Sequence, residues 1–416
     1  MDFALDDDHR MLLELVEKFV TNELMPLEAG VLERFINGED AVILPEDKQR
    51  LDTLTKELGL WSLDAPEESG GLGMPYVALV GVNEMLGRTV AVYTLPPDSP
   101  NLRMLAATVN ERQKEAYLDP YSRGETISAI GISEPGAGAD PAHMQTRAVR
   151  DGDDWVINGR KIWITRAAEA DFTILMAITD PAKGARGGMS AFLVDRDAPG
   201  FKPVRRIPML GGEFTYEVEL VDCRVPGWKL LGKEGDGFGP MQVRLGTRRM
   251  EMAAWCIGAA QRALDMMTDY APQRKTFGQK LSERQSIQWW VADGATKIHA
   301  ARLMAYDCAW KLDQGRDVRK EISMLKVYAT EMAQEIIDQA MQVHGAMGMT
   351  LEMPLHMLAG RVRNMRIYDG PSEVHRMVVA RNVMDTRPWD GRPHTFRGLI
   401  SSRSHKSRDL ISFTKS

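Results

Sequence analysis

The sequence predicts a mainly α-helical protein with an inserted β domain. An N-terminal helical domain spans residues 1–125, a middle β-barrel or sandwich 126–235, and a C-terminal up-and-down four-helix bundle 236–390, followed by a basic tail over 391–416. Three observations carry that prediction. Near the N-terminus apolar residues recur at three- and four-residue spacing, the mark of one buried helix face. From about Thr126 this gives way to short runs rich in Val, Ile, Thr, Phe and Trp, separated by Gly, Pro and Asp, which is strand-and-turn chemistry. From Met241 the runs 241–271, 283–314 and 317–346 are long and almost free of breakers, which suits helices packed side by side through short joints.

Taken in order, Met11, Leu12, Leu15, Val16, Phe19 and Val20 mark a first helix from about Leu5 to Leu24, which Pro26 ends. A second, Pro45 to Leu58, puts Leu51, Leu54 and Leu58 on one face and stops at Gly59. The glycine-rich stretch 61–73 lacks the Lys-Ser/Thr of a P-loop and reads as a connection to a helix over Val77 to Leu86. Thr89 to Pro100, with Pro96, Pro97 and Pro100, reads as an irregular linker. The β runs fall at 126–132, 143–150, 155–164, 172–179, 189–195 and 215–221, and the glycine-rich 231–239 makes a hinge into the bundle. Late in the chain, Arg366 to Arg376 forms a tight turn between two helical segments. Pro371 lacks an N–H and clashes with a preceding helical turn, so the chain must bend beside Asp369.

Composition narrows the function. With 44% hydrophobic residues, 416 residues can build two or three globular domains. A formal net charge of −6 with no basic stripe argues against nucleic acid or an anionic membrane as partner. Cys223, Cys256 and Cys308 lie far apart without CxxC spacing, so neither a disulfide framework nor a metal site is expected, and a reducing, cytoplasmic location is. The acidic start, Asp2 and Asp6 to Asp8, has no apolar segment of the secretory kind, and no apolar run is long enough to cross a bilayer.

Three stretches carry chemistry. Asp369, between Tyr368 and Gly370-Pro371, is either a helix N-cap or a base, and Ile367 and Tyr368 suggest an apolar wall where desolvation would raise its pKa. In Ile130 to Asp140 small residues let a flat ring and a pyrophosphate approach the backbone; a structural turn explains the same glycines. In Asn158 to Thr165, Asn-Gly signals a hairpin, and alternation puts Trp163 and Thr165 on one sheet face; Trp163 serves equally as a core residue.

These stretches, in this order, resemble the acyl-CoA dehydrogenase family over roughly residues 5 to 385. The resemblance implies FAD as cofactor and an acyl-CoA thioester as substrate. It places Ile130, Ile132, Ser133, Gly138, Ala139, Trp163, Ile164 and Thr165 at the flavin, with Pro371 and Glu373 after the base turn. Arg274, Thr276, Phe277 and Gln285, in a segment similar to the family's Arg-x-x-Phe-Gly, would bind the FAD of a neighbouring subunit. Gln342, Gly345 and Ala346 would do the same, implying a homodimer or homotetramer. His344 reads as structural. Arg249 matches a position near the thioester and the base; a surface or helix-pair salt bridge explains it equally well. Ala139 replaces the family's usual Ser at the substrate entrance, and Arg166 its usual Asn, adding a cation suited to an anionic substrate group.

The family's Tyr-Glu-Gly-Thr turn reads Tyr368-Asp369-Gly370-Pro371 here, so the implied base is an Asp whose reach is shorter by about 1.5 Å. Asp369 would take the α-proton while the β-hydride passes to the flavin, and an electron-transferring flavoprotein is the implied acceptor. The string through Glu373, Val374 and His375 resembles a subgroup with Asp-Gly-Pro-x-Glu-Val-His, linked to 4-hydroxyacyl or branched substrates. A nitroalkane oxidase-like enzyme and a DNA-associated flavoprotein of the same fold are the alternatives.

Overall fold

A computed structural model describes residues 6–65, 67, 71–184 and 187–385. The tail predicted over 391–416 lies outside the described residues. Helices α1 (Asp7–Phe19), α2 (Glu28–Ile36), α3 (Pro45–Glu57), α4 (Tyr76–Leu86), α5 (Ser99–Ala106), α6 (Glu111–Gln113) and α7 (Asp119–Ser122) precede the β region. Asp6 caps α1 by accepting from the His9 N–H at 2.8 Å, and Pro45 opens α3 where no amide hydrogen is needed. The expected first helix continues past Phe19 only as a π turn, Val20–Leu24. The linker expected to run to Pro100 is cut short by α5, which begins at Ser99.

The β region is an eight-stranded mixed sheet: β1 (Ser128–Gly131), β2 (Arg147–Asp151), β3 (Asp154–Ile164), β4 (Phe172–Ile178), β5 (Met189–Asp195), β6 (Phe201–Pro208), β7 (Phe214–Pro226) and β8 (Leu230–Leu231). The order is β6-β7-β3-β2-β4-β5-β8, with β1 added parallel to β4. Period-two alternation sorts β4 and β5 between two cores. Leu175, Ala177, Phe192 and Val194 pack with Trp155, Ile157 and Val218 on one face. Phe172, Ile174, Ala191 and Leu193 pack with Leu102, Leu105 and Tyr117 of the N-terminal helices on the other. Coverage of both faces is why these strands read as continuous apolar runs. The sheet is thereby fixed against α5.

Beyond it come α8 (Phe238–Tyr270), a two-residue hairpin of β9 (Lys275–Thr276) and β10 (Gln279–Lys280), and then α9 (Gln285–Asp313), α10 (Arg319–His344), α11 (Leu355–Met365) and α12 (Ser372–Asp385). Ion pairs Lys297–Glu335 and Lys311–Glu321 set α9 antiparallel to α10. His344 stacks on Tyr270 at 4.5 Å, so α8 and α10 end together. Cys256, Ile257, Ala260, Ala263, Leu264 and Met267 recur at helical spacing in a core shared with Ala301, Ala305, Ala333 and Ile337. Gly360 and Arg361 make a close local contact with the sheet. A Cβ at 360 would lie 2.5 Å from the Gly211 nitrogen, while the buried Arg361 donates to the carbonyls of Gly211 and Val90. That contact locks α11 to the β6–β7 turn. Among the described residues no helix is long and apolar enough to cross a membrane, and no cluster of three or more metal-ligating side chains occurs.

Candidate active site

The turn between α11 and α12 holds Asp369 at φ 51° and Gly370 at φ 97°, two successive residues in the left-handed region. Asp tolerates that region better than most side chains, and at 370 only glycine fits, since a Cβ there would sit 2.9 Å from the His375 Nε2. The carbonyls of Tyr368, Asp369 and Gly370 are all engaged by side chains. Lys326 Nζ donates to the Tyr368 oxygen at 2.7 Å and to the Gly370 oxygen, while Arg249 Nε donates to the Asp369 oxygen at 2.8 Å. His375, buried, lies 3.3 Å from the same Asp369 carbonyl through Nε2 and 3.0 Å from Ser323 Oγ through Nδ1. Burial holds its imidazole neutral, with the pKa pushed down to about 3.

The Asp369 carboxylate is not a helix cap. It accepts from Arg244 Nη1 at 2.6 Å, with the side chain only 14% exposed. Its surroundings also differ from the apolar wall expected from Ile367 and Tyr368. Burial acts to raise its pKa, but Arg244, Arg248, Arg249 and Lys326 together outweigh burial, so the carboxyl lies below its ordinary value. Ile367 instead is exposed. Arg248, buried on the next turn of α8, pairs with Asp98 and, at 2.9 Å, with Glu251. Glu251 is driven by burial to a pKa of about 8 despite Arg248, and is therefore mostly protonated at neutral pH.

A hydrogen-bonded chain joins this cluster to the sheet. Arg244 Nε donates to Asn101 Oδ1 at 3.3 Å, and Asn101 Nδ2 donates to Ser128 Oγ at 2.8 Å, at the start of β1. The far end of β1 carries Ile130 and runs into the loop Ile132 to Ala139. That loop is folded on itself by reciprocal bonds between Glu134 and Ala137 and tied to β3 by the Ile162 N–H to the Ser133 carbonyl at 3.0 Å. Lys161, fully buried, donates to the Ile132 carbonyl at 3.1 Å and to Glu134 at 2.9 Å. Glu134 also accepts from the amides of Gln145 and Thr146.

The two expected flavin segments therefore lie side by side. Trp163 is 50% exposed at φ 63°, Thr165 is exposed, and above Gly136 and Gly138 nothing lies within 4 Å of a would-be Cβ. An exposed indole in a strained backbone beside an open glycine ledge and the hydroxyls of Ser133 and Thr165 is the surface a flat, polar-edged ring requires. FAD fits these residues. Ile164 is buried in the sheet core, which leaves its backbone for such a role. Ala139 and Arg166 are exposed near this ledge, and Arg166 lies close enough to Asp98 to lower that carboxyl's pKa, in which burial is opposed by Arg248, Arg166 and Arg244. Pro371 is half-buried in the turn, and Glu373 lies exposed on α12.

The remaining predicted residues form a separate patch. Arg274, Phe277, Gln285, Gln342, Gly345 and Ala346 are exposed, Thr276 is half-buried, and the Tyr270–His344 stack brings the two segments together. Phe277, at φ 50° on the β9–β10 hairpin, is 99% exposed. Arg249 to Tyr270 is about 30 Å along α8, so this patch and Asp369 of one chain sit at opposite ends of the bundle. Sequence reasoning did not single out Arg244, Lys326, Asp98 or Lys161. Arg244 and Arg248 were findable, because four residues apart on a helix they share a face; nothing local marks Lys326.

The chain matches three family models: the acyl-CoA dehydrogenase N-terminal domain over 6–125, the middle domain over 129–223 and the C-terminal domain over 235–384. It is 40% identical to (R)-benzylsuccinyl-CoA dehydrogenase of Thauera aromatica over 405 residues, covering 95% of this chain and 99% of that protein. Its fold superposes on butyryl-CoA dehydrogenase of Megasphaera elsdenii with a TM-score of 0.84 at 30% identity, covering 92% of this chain and all of that one. The glutaryl-coenzyme A dehydrogenase structure in complex with glutaryl-CoA gives 0.84 at 31%, with 93% and 98% covered. The chain belongs to the acyl-CoA dehydrogenase family of FAD-dependent oxidoreductases that act on acyl-CoA thioesters.

Proposed function

We propose that this chain oxidises an acyl-CoA to its 2,3-enoyl-CoA, with Asp369 as the base that takes the α-proton. The observation that carries this reading is the Ser128–Asn101–Arg244–Asp369 chain, which ties a buried carboxylate to the strand leading into the Ser133 and Trp163 ledge. Bound FAD supplies the acceptor for the hydride that leaves Cβ. Ile130, Ile132, Ser133, Gly138, Ala139, Trp163, Ile164 and Thr165 would hold its ring and pyrophosphate, with Pro371 and Glu373 flanking. Asp369 takes the Cα proton on a carboxylate oxygen, leaving a double bond between Cα and Cβ.

A carboxylate held below its ordinary pKa is a weak base, so Arg244 has to release it before the proton moves. With that partner gone and a thioester excluding water, burial becomes the stronger influence and raises the pKa. Arg249 and Lys326, anchored on the turn's carbonyls, keep their charges near the developing enolate without clamping the base. A second copy would bring Arg274, Thr276, Phe277, Gln285, Gln342, Gly345 and Ala346 to this copy's FAD, as a homodimer or homotetramer. Electrons would leave to an electron-transferring flavoprotein. Anaerobic titration of the holoenzyme with a panel of acyl-CoAs tests the reading: one member should bleach the oxidised flavin band and yield enoyl-CoA in equal amount. Bleaching by dithionite but by no thioester would overturn it.

A further inference from the structure

Around Asp369 positive charge is in excess. Arg166, Arg244, Arg248, Arg249 and Lys326 face the carboxylates Asp98 and Asp369 and the mostly protonated Glu251, and the exposed Glu373 still leaves the balance positive. Arg249 and Lys326 already spend hydrogen bonds on neutral carbonyls of the turn. Arg166 is exposed and, among the described residues, makes no ion pair or side-chain hydrogen bond. Arg244 gives one bond to Asp369 and one to Asn101, and its second terminal nitrogen makes none among the described residues. A planar fork with a spare N–H edge is built for bidentate capture of a carboxylate.

Resting on the acyl-CoA reading above, we infer that the substrate's acyl group carries a second carboxylate, which Arg244 captures in exchange for Asp369, with Arg166 lending its charge. The exchange serves two purposes. It matches the surplus positive charge that an aliphatic acyl chain would leave unpaired in a buried place. It also frees the base only when a diacid thioester has entered, so specificity and proton abstraction depend on one guanidinium. A neutral acyl-CoA would have to reach Asp369 with Arg244 still bound to it.

The test compares holoenzyme on succinyl-CoA and glutaryl-CoA with the neutral butyryl-CoA and pentanoyl-CoA, by the rate of flavin bleaching under anaerobic conditions. The diacid esters should win in kcat/KM by about 100-fold or more, the scale on which sites built for a charged partner reject analogues lacking it. Arg244→Gln should collapse that ratio at least tenfold, Arg244→Lys should restore part of it, and Arg166→Gln should narrow it. FAD content and Tm confirm that each variant is folded. Equal rates of wild type on both classes would overturn the inference and leave acyl-CoA oxidation standing, as would an Arg244→Gln loss that falls equally on both. Bleaching by no thioester at all would overturn the underlying reading instead.

Discussion

At Asp369 two forces oppose one another: burial that would make it a stronger base, and four cations that keep it ionised. The same burial acts on Glu251, two residues beyond Arg249, without enough compensation, and its pKa rises to about 8 against roughly 4.3 in the unfolded chain. Between those values the folded state holds a proton that the unfolded state has lost, so stability falls as pH rises from about 4.5 through 8. Glu251→Gln removes that slope. The Tm of wild type should drop more than that of the variant between pH 5.5 and 8.5, and parallel drops would refute the assignment. Asp369 was legible because a Gly-Pro bend announces itself in sequence. Its electrostatic setting was not, because Lys326 and Arg244 arrive from helices 43 and 125 positions away and only tertiary packing brings them together.

Among elements, the turn from 366 to 370 carries the most constraint. Gly370→Ala would force a Cβ against His375 at a φ of 97°, costing about 1–3 kcal/mol and displacing the neighbouring carboxylate. Thermal unfolding should report the loss, and kcat should fall by about 100-fold, the cost of misplacing a reacting group by an ångström; an unchanged kcat would mean the turn does not position the base. The long helices and apolar strands β4 and β5 were readable from periodicity alone. Strand β6 was not, since Pro203, Pro208 and the Arg205–Arg206 pair break its pattern, which the sheet tolerates because β6 is an edge. Helix α5 hid behind Pro100, a residue the first turn of a helix accepts. That missed helix carries Asn101 and follows Asp98, so the link between base and sheet was hidden with it.

At the scale of the molecule, the predicted cofactor residues divide into a ledge on the sheet and a patch at the end of α8, about 30 Å along that helix from Arg249, and the proposal is that a second chain brings the patch to this chain's flavin. Phe277→Asp should shift the assembly to smaller mass in analytical ultracentrifugation and lower its FAD content in parallel; full FAD occupancy in a monomer would refute the sharing. The order of motifs along the chain revealed the family, and that resemblance implied the division into two groups, whereas the distance along α8 from Arg249 to the second group emerged only from the structure. The central claim is that one carboxylate in the α11–α12 turn moves the α-proton, and stopped-flow bleaching of Asp369→Asn measures it most directly. With FAD bound as in wild type, the variant should lose flavin reduction by acyl-CoA by about 10²–10⁴-fold. Reduction at the wild-type rate would contradict the account.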